Sequence, residues 1–243
     1  MIAEIDIGNT RIKWRVRDGQ RHVSRGVQPT RSILEGTPLA LGDLQVISEA
    51  RLCCVAMSEV GLKIQRQLFD QYAISAHFAA VSQNAGGVVC GYHQLDSLGV
   101  DRWLALLAGY QLVAGAVVVV DAGSALTIDL VTADGTHLGG YIAPGQQLMR
   151  SALWQGTNAV KVPAVQVDEA MQPATNSAQA VALGGLLGAV AMVEKLSLQY
   201  AATPILTGGD GPLLSRALSI RGLHVKDLVL DGLAIEDVVF HRR

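Results

Sequence analysis

Asp6 and Asp121, 115 positions apart, each open a glycine turn, and both turns have the makings of a phosphate site. In DIGNTRIK, Asp6 is followed by Gly8, Asn9 and Lys13; in DAGSALTID, Asp121 is followed by Gly123, Ser124 and Asp129. Phosphoryl transfer is mostly positioning and charge neutralisation. It needs turn amides and a cation on the phosphates, a carboxylate for hydrated magnesium, and a base for the acceptor hydroxyl. Asp6 is the candidate for the magnesium shell, because Mg²⁺ keeps several waters and takes few carboxylates. Lys13 would meet phosphate oxygens as a point charge. Gly8 and Asn9 tolerate the positive φ that a tight turn demands, which would aim backbone N–H groups at an anion. An ordinary hairpin with a solvent-facing strand lysine would use the same residues.

A third carboxylate, Asp101, falls in the first turn of an expected helix, after a polar, glycine-rich stretch from Asn84 to Gly99 that carries Tyr92. Within reach of a substrate hydroxyl it would be the base of a kinase, and Arg102 could hold a substrate carboxylate bidentately. Alone, a carboxylate there is equally a partner of the helix dipole. The TGGDG loop, Thr207–Gly211, can admit a flat base or a ribose, or be a plain turn.

Absences narrow the chemistry. No lysine follows a glycine, which excludes a Walker A loop; no G-x-G-x-x-G fits a dinucleotide turn; the six histidines lack metal-ligand spacing. Nucleophile-elbow serine, Cys–His and zinc hydrolase arrangements also lack support. The net charge of −2 offers no footprint for nucleic acid or an anionic membrane, so an anionic ligand must be held by local groups. Three cysteines, two adjacent at Cys53 and Cys54, fit neither a disulfide framework nor a zinc site and read as buried thiols of a reducing cytoplasm. The first residues lack a basic region followed by an apolar run, so no signal peptide is expected. The apolar runs Leu112–Val120 and Ala180–Val193 fall short of the roughly 18 residues of a membrane span.

The elements that must position these residues follow from periodicity. Ala3, Ile5 and Ile7, then Ile12, Trp14 and Val16, alternate with charged residues as two half-buried strands, and Asp18-Gly19 turns the chain into a third over Arg21–Val27. A loop with a short helix is expected from Pro29 to Asp43, a strand over Arg51–Met57, a helix through Val60, Ile64 and Leu68 to Tyr72, a strand over Ala76–Val81 and a helix over Val100–Gly115. The second half restarts with a strand over Ala116–Val120. Its Asp-Gly turn comes 13 residues after Asp121, against 12 residues after Asp6 in the first half. GGYIAPG then closes a third strand and enters a helix at Gln146. An extended piece over Val160–Val167, a helix over Ala178–Lys195 capped by Asn176 or Ser177, a strand over Pro204–Leu206, a helix over Pro212–Arg221 and a last strand over Val225–Leu230 complete the chain. A repeat this long is no solenoid. It predicts a duplicated α/β domain, residues 1–114 and 115–243, each a mixed sheet with packed helices, the two hairpins facing across a cleft.

DIGNTRIK, LGVDRW, DAGSALTID, GGYIAPG and TGGDG, in this order across nearly the whole chain, resemble the motif set of the type III pantothenate kinases, also called the Bvg accessory factor family. The resemblance implies two actin-like (ribonuclease H-like) domains, as in sugar kinases, acetate kinase and actin. It implies ATP-dependent phosphorylation of pantothenate, with magnesium and a monovalent cation, potassium or ammonium, in a cytoplasmic homodimer whose partner subunit helps close the substrate site. Carried over by residue, Asp6, Ile7, Gly8, Asn9, Thr10, Arg11, Ile12 and Lys13 would form the first phosphate motif, and Ser124 would meet ATP in the second. Asp101 would take the proton from the pantothenate hydroxyl; Tyr92, Gly99, Val100 and Arg102 would line the pantothenate site; Ser177 would touch substrate; Asp121 would bind the monovalent cation. Ser124 and Ser177 stand where the family usually has threonine, keeping the hydroxyl and losing a methyl. Two other readings compete: a non-catalytic nucleotide-binding regulator, against which intact Asp6, Lys13, Asp101, Arg102 and Asp121 argue, and another ATPase of the same fold.

Overall fold

Strand alternation sorts the first hairpin onto two faces: Ala3, Ile5, Ile7, Ile12, Trp14 and Val16 are buried in one hydrophobic cluster, while Glu4, Asp6, Lys13, Arg15 and Arg17 point the other way. The computed structural model describes residues 1–41, 47–55, 59–167 and 171–242. The chain divides into two units, Met1–Ala108 with Leu228–Arg243, and Gly109–Asp227.

The first unit runs β1 (Ile2–Ile7), β2 (Arg11–Asp18), β3 (Arg21–Pro29), α1 (Thr30–Leu34), β4 (Glu49–Cys54), α2 (Glu59–Tyr72) and β5 (Ala76–Ala80). A two-residue-per-strand hairpin, β6 (Asn84–Ala85) and β7 (Val88–Val89), and a 3₁₀ turn, Leu95–Ser97, lead to α3 (Val100–Gln111), within which the division between the units falls. The second unit runs β8 (Val117–Ala122), β9 (Ala125–Val131), β10 (His137–Pro144), α4 (Gln146–Gly156), α5 (Ser177–Tyr200), β11 (Thr203–Thr207), α6 (Gly211–Ala217) and β12 (Leu223–His224). The chain then returns to the first unit as α7 (Leu228–Leu233) and β13 (Val239–Arg242).

The two sheets share one connectivity. In the first the order is β13-β5-β4-β1-β2-β3, in the second β10-β9-β8-β11-β12. Each opens with an antiparallel meander and continues with strands parallel to its first, β4 and β5 beside β1, β11 and β12 beside β8. The duplication expected from the two Asp-x-Gly turns is thus a duplication of topology.

Three expectations are corrected. Residues 228–243 belong with the first unit, because β13 pairs antiparallel with β5, and the division falls after Ala108. Val225–Leu230 is no strand: Leu228, Val229, Gly232 and Leu233 are buried at helical spacing in α7, and a side chain at Gly232 would collide with the backbone of Leu104 in α3. Helix α5 outruns the apolar stretch read from the sequence; its 24 residues are long and apolar enough by length and composition to cross a membrane. One face of α5, with Leu186, Val190, Val193 and Leu196, packs into the cluster of the second sheet, as in the core helix of a globular unit. Residues 160–167 join no sheet among the described residues, and the expected limits at Asp43 and Met57 lie outside them.

Candidate active site

The first turn is built by close approach. Neither Gly8 nor Asn9 adopts a positive φ, contrary to expectation. Gly8 is needed because its N–H donates to the Arg11 carbonyl at 3.1 Å, and a Cβ there would sit 2.9 Å from that oxygen. Thr30, buried at the start of α1, clamps the turn twice: its N–H donates to the Thr10 carbonyl at 3.1 Å and its hydroxyl to the Gly8 carbonyl at 2.7 Å. Asn9, Thr10 and Arg11 are left exposed at the tip, where an anion can reach their amides, while Ile7 and Ile12 anchor the hairpin below.

Behind the turn, the polar face of the first sheet is arranged in rows. Arg15, Glu4 and Arg51 are in register across β2, β1 and β4; one step towards the turn, so are Lys13, Asp6 and Cys53. Glu4 is fully buried, bound by Nε of Arg15 and, at 2.6 Å, by Nη2 of Arg17. Arg15 continues to Asp231 (2.5 Å) and to the Leu230 carbonyl (2.7 Å), strapping α7 to the sheet. Burial pulls the Arg15 guanidinium down, but its bonds to Glu4 and Asp231 outweigh this and leave it above its ordinary value. Glu4 is therefore neutralised inside the protein. Asp6, half-buried, keeps a lysine on one flank and a thiol on the other.

Asp101 lies on the same side. Cys53 is fully buried and in register with Asp6; burial first, then the negative charges of Asp6 and Asp101, push its thiol well above the usual range. The fold thus brings Asp6 and Asp101, 95 positions apart, around one side chain. Asp101 accepts the Arg102 amide at 2.8 Å, and a Cβ on Gly99 would come within 2.6 Å of its carboxylate, so the glycine leaves the space the carboxylate uses. Val100 is buried beneath. Arg102, 9% exposed, donates from Nη1 to the Tyr92 hydroxyl at 3.1 Å, with its guanidinium 5.8 Å from the ring centre. The expected grouping of Tyr92, Gly99, Asp101 and Arg102 is a physical cluster.

The second unit holds a similar turn with different clamps. Gly123 donates to the Ala125 carbonyl at 3.0 Å, Gly145 to the Ser124 carbonyl at 3.1 Å and Asp210 to the Ala122 carbonyl at 2.9 Å. Gly145 must be glycine, since a Cβ would lie 2.6 Å from the Ser124 carbonyl oxygen and closer still to that of Gly123. Gly208, at φ +88°, covers the Asp121 carboxylate in the same way, with the Ala122 carbonyl oxygen 2.5 Å from its absent Cβ. A small pocket opens beside this turn, lined by Gly123, Leu126, Gly145, Gln146, Leu214 and Asp210 among others. Burial pushes the Asp210 carboxyl above its ordinary value.

Ser177 opens α5, where the cap is Asn176, whose side chain accepts the Gln179 amide at 3.0 Å; Ser177 is exposed. Asp129 is buried and paired with buried His137 at 3.2 Å within the β9–β10 hairpin, a structural contact. Thr30 carried no signal in the sequence, while Gly145 was read only as the end of GGYIAPG and Cys53 only as a buried thiol, because their contacts come from strand order and loop closure.

Residues 2–199 match the type III pantothenate kinase family. A type III pantothenate kinase of Chromohalobacter salexigens is 40% identical over 243 residues, covering 96% of this chain and 86% of that relative. That of Pseudomonas paraeruginosa is 38% identical over 250 residues, covering 97% and 98%. Among solved structures, a protein described as a 2-dehydro-3-deoxygalactonokinase from Sinorhizobium meliloti aligns with TM-score 0.60 at 15% identity over 96% of this chain and 97% of that one. Such a likeness concerns the fold, which is that of the actin-like sugar kinases.

Proposed function

We propose how individual residues serve the reaction from the premise that this chain belongs to the type III pantothenate kinase family. The protein is an enzyme, a phosphotransferase that phosphorylates the pantothenate hydroxyl with ATP to give 4′-phosphopantothenate, the first step of coenzyme A biosynthesis. The observation that carries this is a family match spanning 198 of the 243 residues (2 to 199), with the candidate acidic and basic residues all in place.

Asp101 takes the proton from the pantothenate hydroxyl. The freed oxygen bonds to the γ-phosphorus as the bond from that phosphorus to the bridging oxygen breaks, leaving ADP. Arg102, held by Tyr92, receives the pantothenate carboxylate, and Gly99 and Val100 shape the wall beside it. The exposed tip at Asn9, Thr10 and Arg11, with Lys13, holds phosphate oxygens; Ser124 contacts ATP in the second turn, and the Asp210 pocket receives the nucleoside. Ser177 contacts pantothenate.

Asp6 fits magnesium: it is a half-buried carboxylate at the phosphate turn, in register with Lys13 on one flank and Cys53 on the other. The half-buried Asp121 carboxylate, an oxygen donor at the second turn, is the group that would hold a monovalent cation. Bound there, the two cations would neutralise phosphate charge. The homodimer is supported by the outward stripe of α5, where Leu187 is 55% and Leu198 73% exposed and Gly184 and Gly188 face open space. A cytoplasmic location accords with three free cysteines among the described residues.

The test is ADP release from Mg-ATP with and without pantothenate and potassium. Pantothenate-dependent release that potassium stimulates is expected. Release independent of pantothenate would favour a different ATPase of this fold.

A further inference from the structure

The return of the chain to the first unit sets a carboxylate against the loop that carries Tyr92. Asp237 lies between α7 and β13, just before Val239, which is in register with Ala80 at the end of β5. Beyond β5 the chain makes the hairpin β6–β7, whose strands have two residues each and form a sheet of their own. Gly86 and Gly87 turn it at φ +58° and +82°, the two positive values that a two-residue turn of this hand requires. Such a turn leaves the amide of its first residue outside the ladder. Both oxygens of Asp237 accept that amide, the Gly86 N–H, each at 2.9 Å.

From this geometry we propose that Asp237 is a positioning residue for pantothenate binding, fixing the hairpin from which the Tyr92 loop departs. The proposal rests on the role given above to Tyr92 and Arg102. A hairpin this short does not hold its shape in water unaided, so contacts from outside decide where it stands. Ala85, Val88 and Cys90 seat it by burial, and Asp237 holds its tip. Its outgoing arm stays tied as far as Cys90, whose amide donates to the Gln83 carbonyl at 2.9 Å while the Gln83 side chain donates to the Cys90 carbonyl at 3.3 Å. Tyr92 follows directly after Gly91, and its hydroxyl accepts a hydrogen bond from Nη1 of Arg102 at 3.1 Å. A shift of the hairpin therefore moves the phenol that orients the guanidinium. Asp237 is exposed, and a surface group contributes little to global stability, so its effect is the placement of this one loop.

The experiment compares Asp237→Ala, which removes both acceptor oxygens, with Asp237→Asn, which keeps one, in the full chain. KM for pantothenate and KM for ATP are read from pantothenate-dependent ADP release, the hairpin by amide hydrogen exchange over residues 83–92, and integrity by the thermal midpoint. Asp237→Ala is expected to raise the pantothenate KM about 5-fold, as for residues that act on a site through intervening structure, while KM for ATP and the thermal midpoint stay near those of the parent protein. Exchange at Gly86 and Cys90 should quicken in the same variant. Asp237→Asn should stay close to the parent in all of these. In a Tyr92→Phe background Asp237→Ala should no longer change the pantothenate KM, because the carboxylate acts through the hold of the phenol on Arg102. An unchanged pantothenate KM in Asp237→Ala, a rise shared equally by ATP, or an undiminished effect in the Tyr92→Phe background would overturn the proposal. If Tyr92→Phe and Arg102→Gln themselves leave the pantothenate KM unchanged, the pantothenate role of that cluster fails and this proposal with it; if they raise it and Asp237→Ala does not, the cluster keeps its role and Asp237 loses its own.

Discussion

Thr30 donates its hydroxyl to the Gly8 carbonyl at 2.7 Å, so the residue after the third strand closes the turn between the first two. Thr30→Val keeps the shape and removes that donor. A loss of about 1 kcal/mol in urea unfolding is expected, together with a raised KM for ATP, since the tip amides lose their support. An unchanged KM would separate the clamp from nucleotide binding.

Gly208 and Gly209 are neighbours with opposite tolerance. Gly208 sits at φ +88° against Asp121 and the Ala122 carbonyl, whereas a Cβ at Gly209 meets nothing within 4 Å. Gly208→Ala should cost about 1–3 kcal/mol from backbone strain alone and weaken ATP binding, while Gly209→Ala leaves both unchanged. Thermal melts and nucleotide titration of the two variants check this.

Asp101→Asn preserves size and the bond to the Arg102 amide but cannot take a proton. Turnover should fall by roughly 10²–10⁴-fold with pantothenate and Mg-ADP affinities retained. Normal turnover would remove Asp101 from the role of base.

Glu4 is buried between Arg15 and Arg17, and Arg15 reaches on to Asp231 in α7. Glu4→Ala leaves these guanidiniums without their buried counter-charge, and a loss on the order of 3–5 kcal/mol is expected. Chemical denaturation measures it, and amide exchange in residues 228–233 should quicken as the strap loosens.

Burial raises the Asp210 carboxyl above its ordinary value of 3.8. As pH rises from that value through the raised one, the unfolded chain releases its proton first, so this residue's contribution to stability falls. In the nucleotide-free protein, Asp210→Asn should therefore gain in thermal midpoint over the parent as pH rises from about 4 to about 7. A difference independent of pH would contradict the burial.

The sequence alone determined the duplicated Asp-x-Gly turns, the strand alternation around them, the Asp101 helix and the family likeness, because each is written in local spacing. Residues that act through their immediate neighbours in the chain, such as Gly99 beside Asp101, are legible in this way. What only the tertiary structure decided is which strand lies beside which. The order β4-β1-β2 put Cys53 and Lys13 on either side of Asp6, and the return of β13 to β5 carried the last residues into the first unit. Gly8 makes the same point on a smaller scale: its identity suggested a positive φ, but the carbonyl of Arg11, folded back onto it, is what excludes a side chain. Strand pairing and close approach join residues distant in the chain, and no local pattern encodes them.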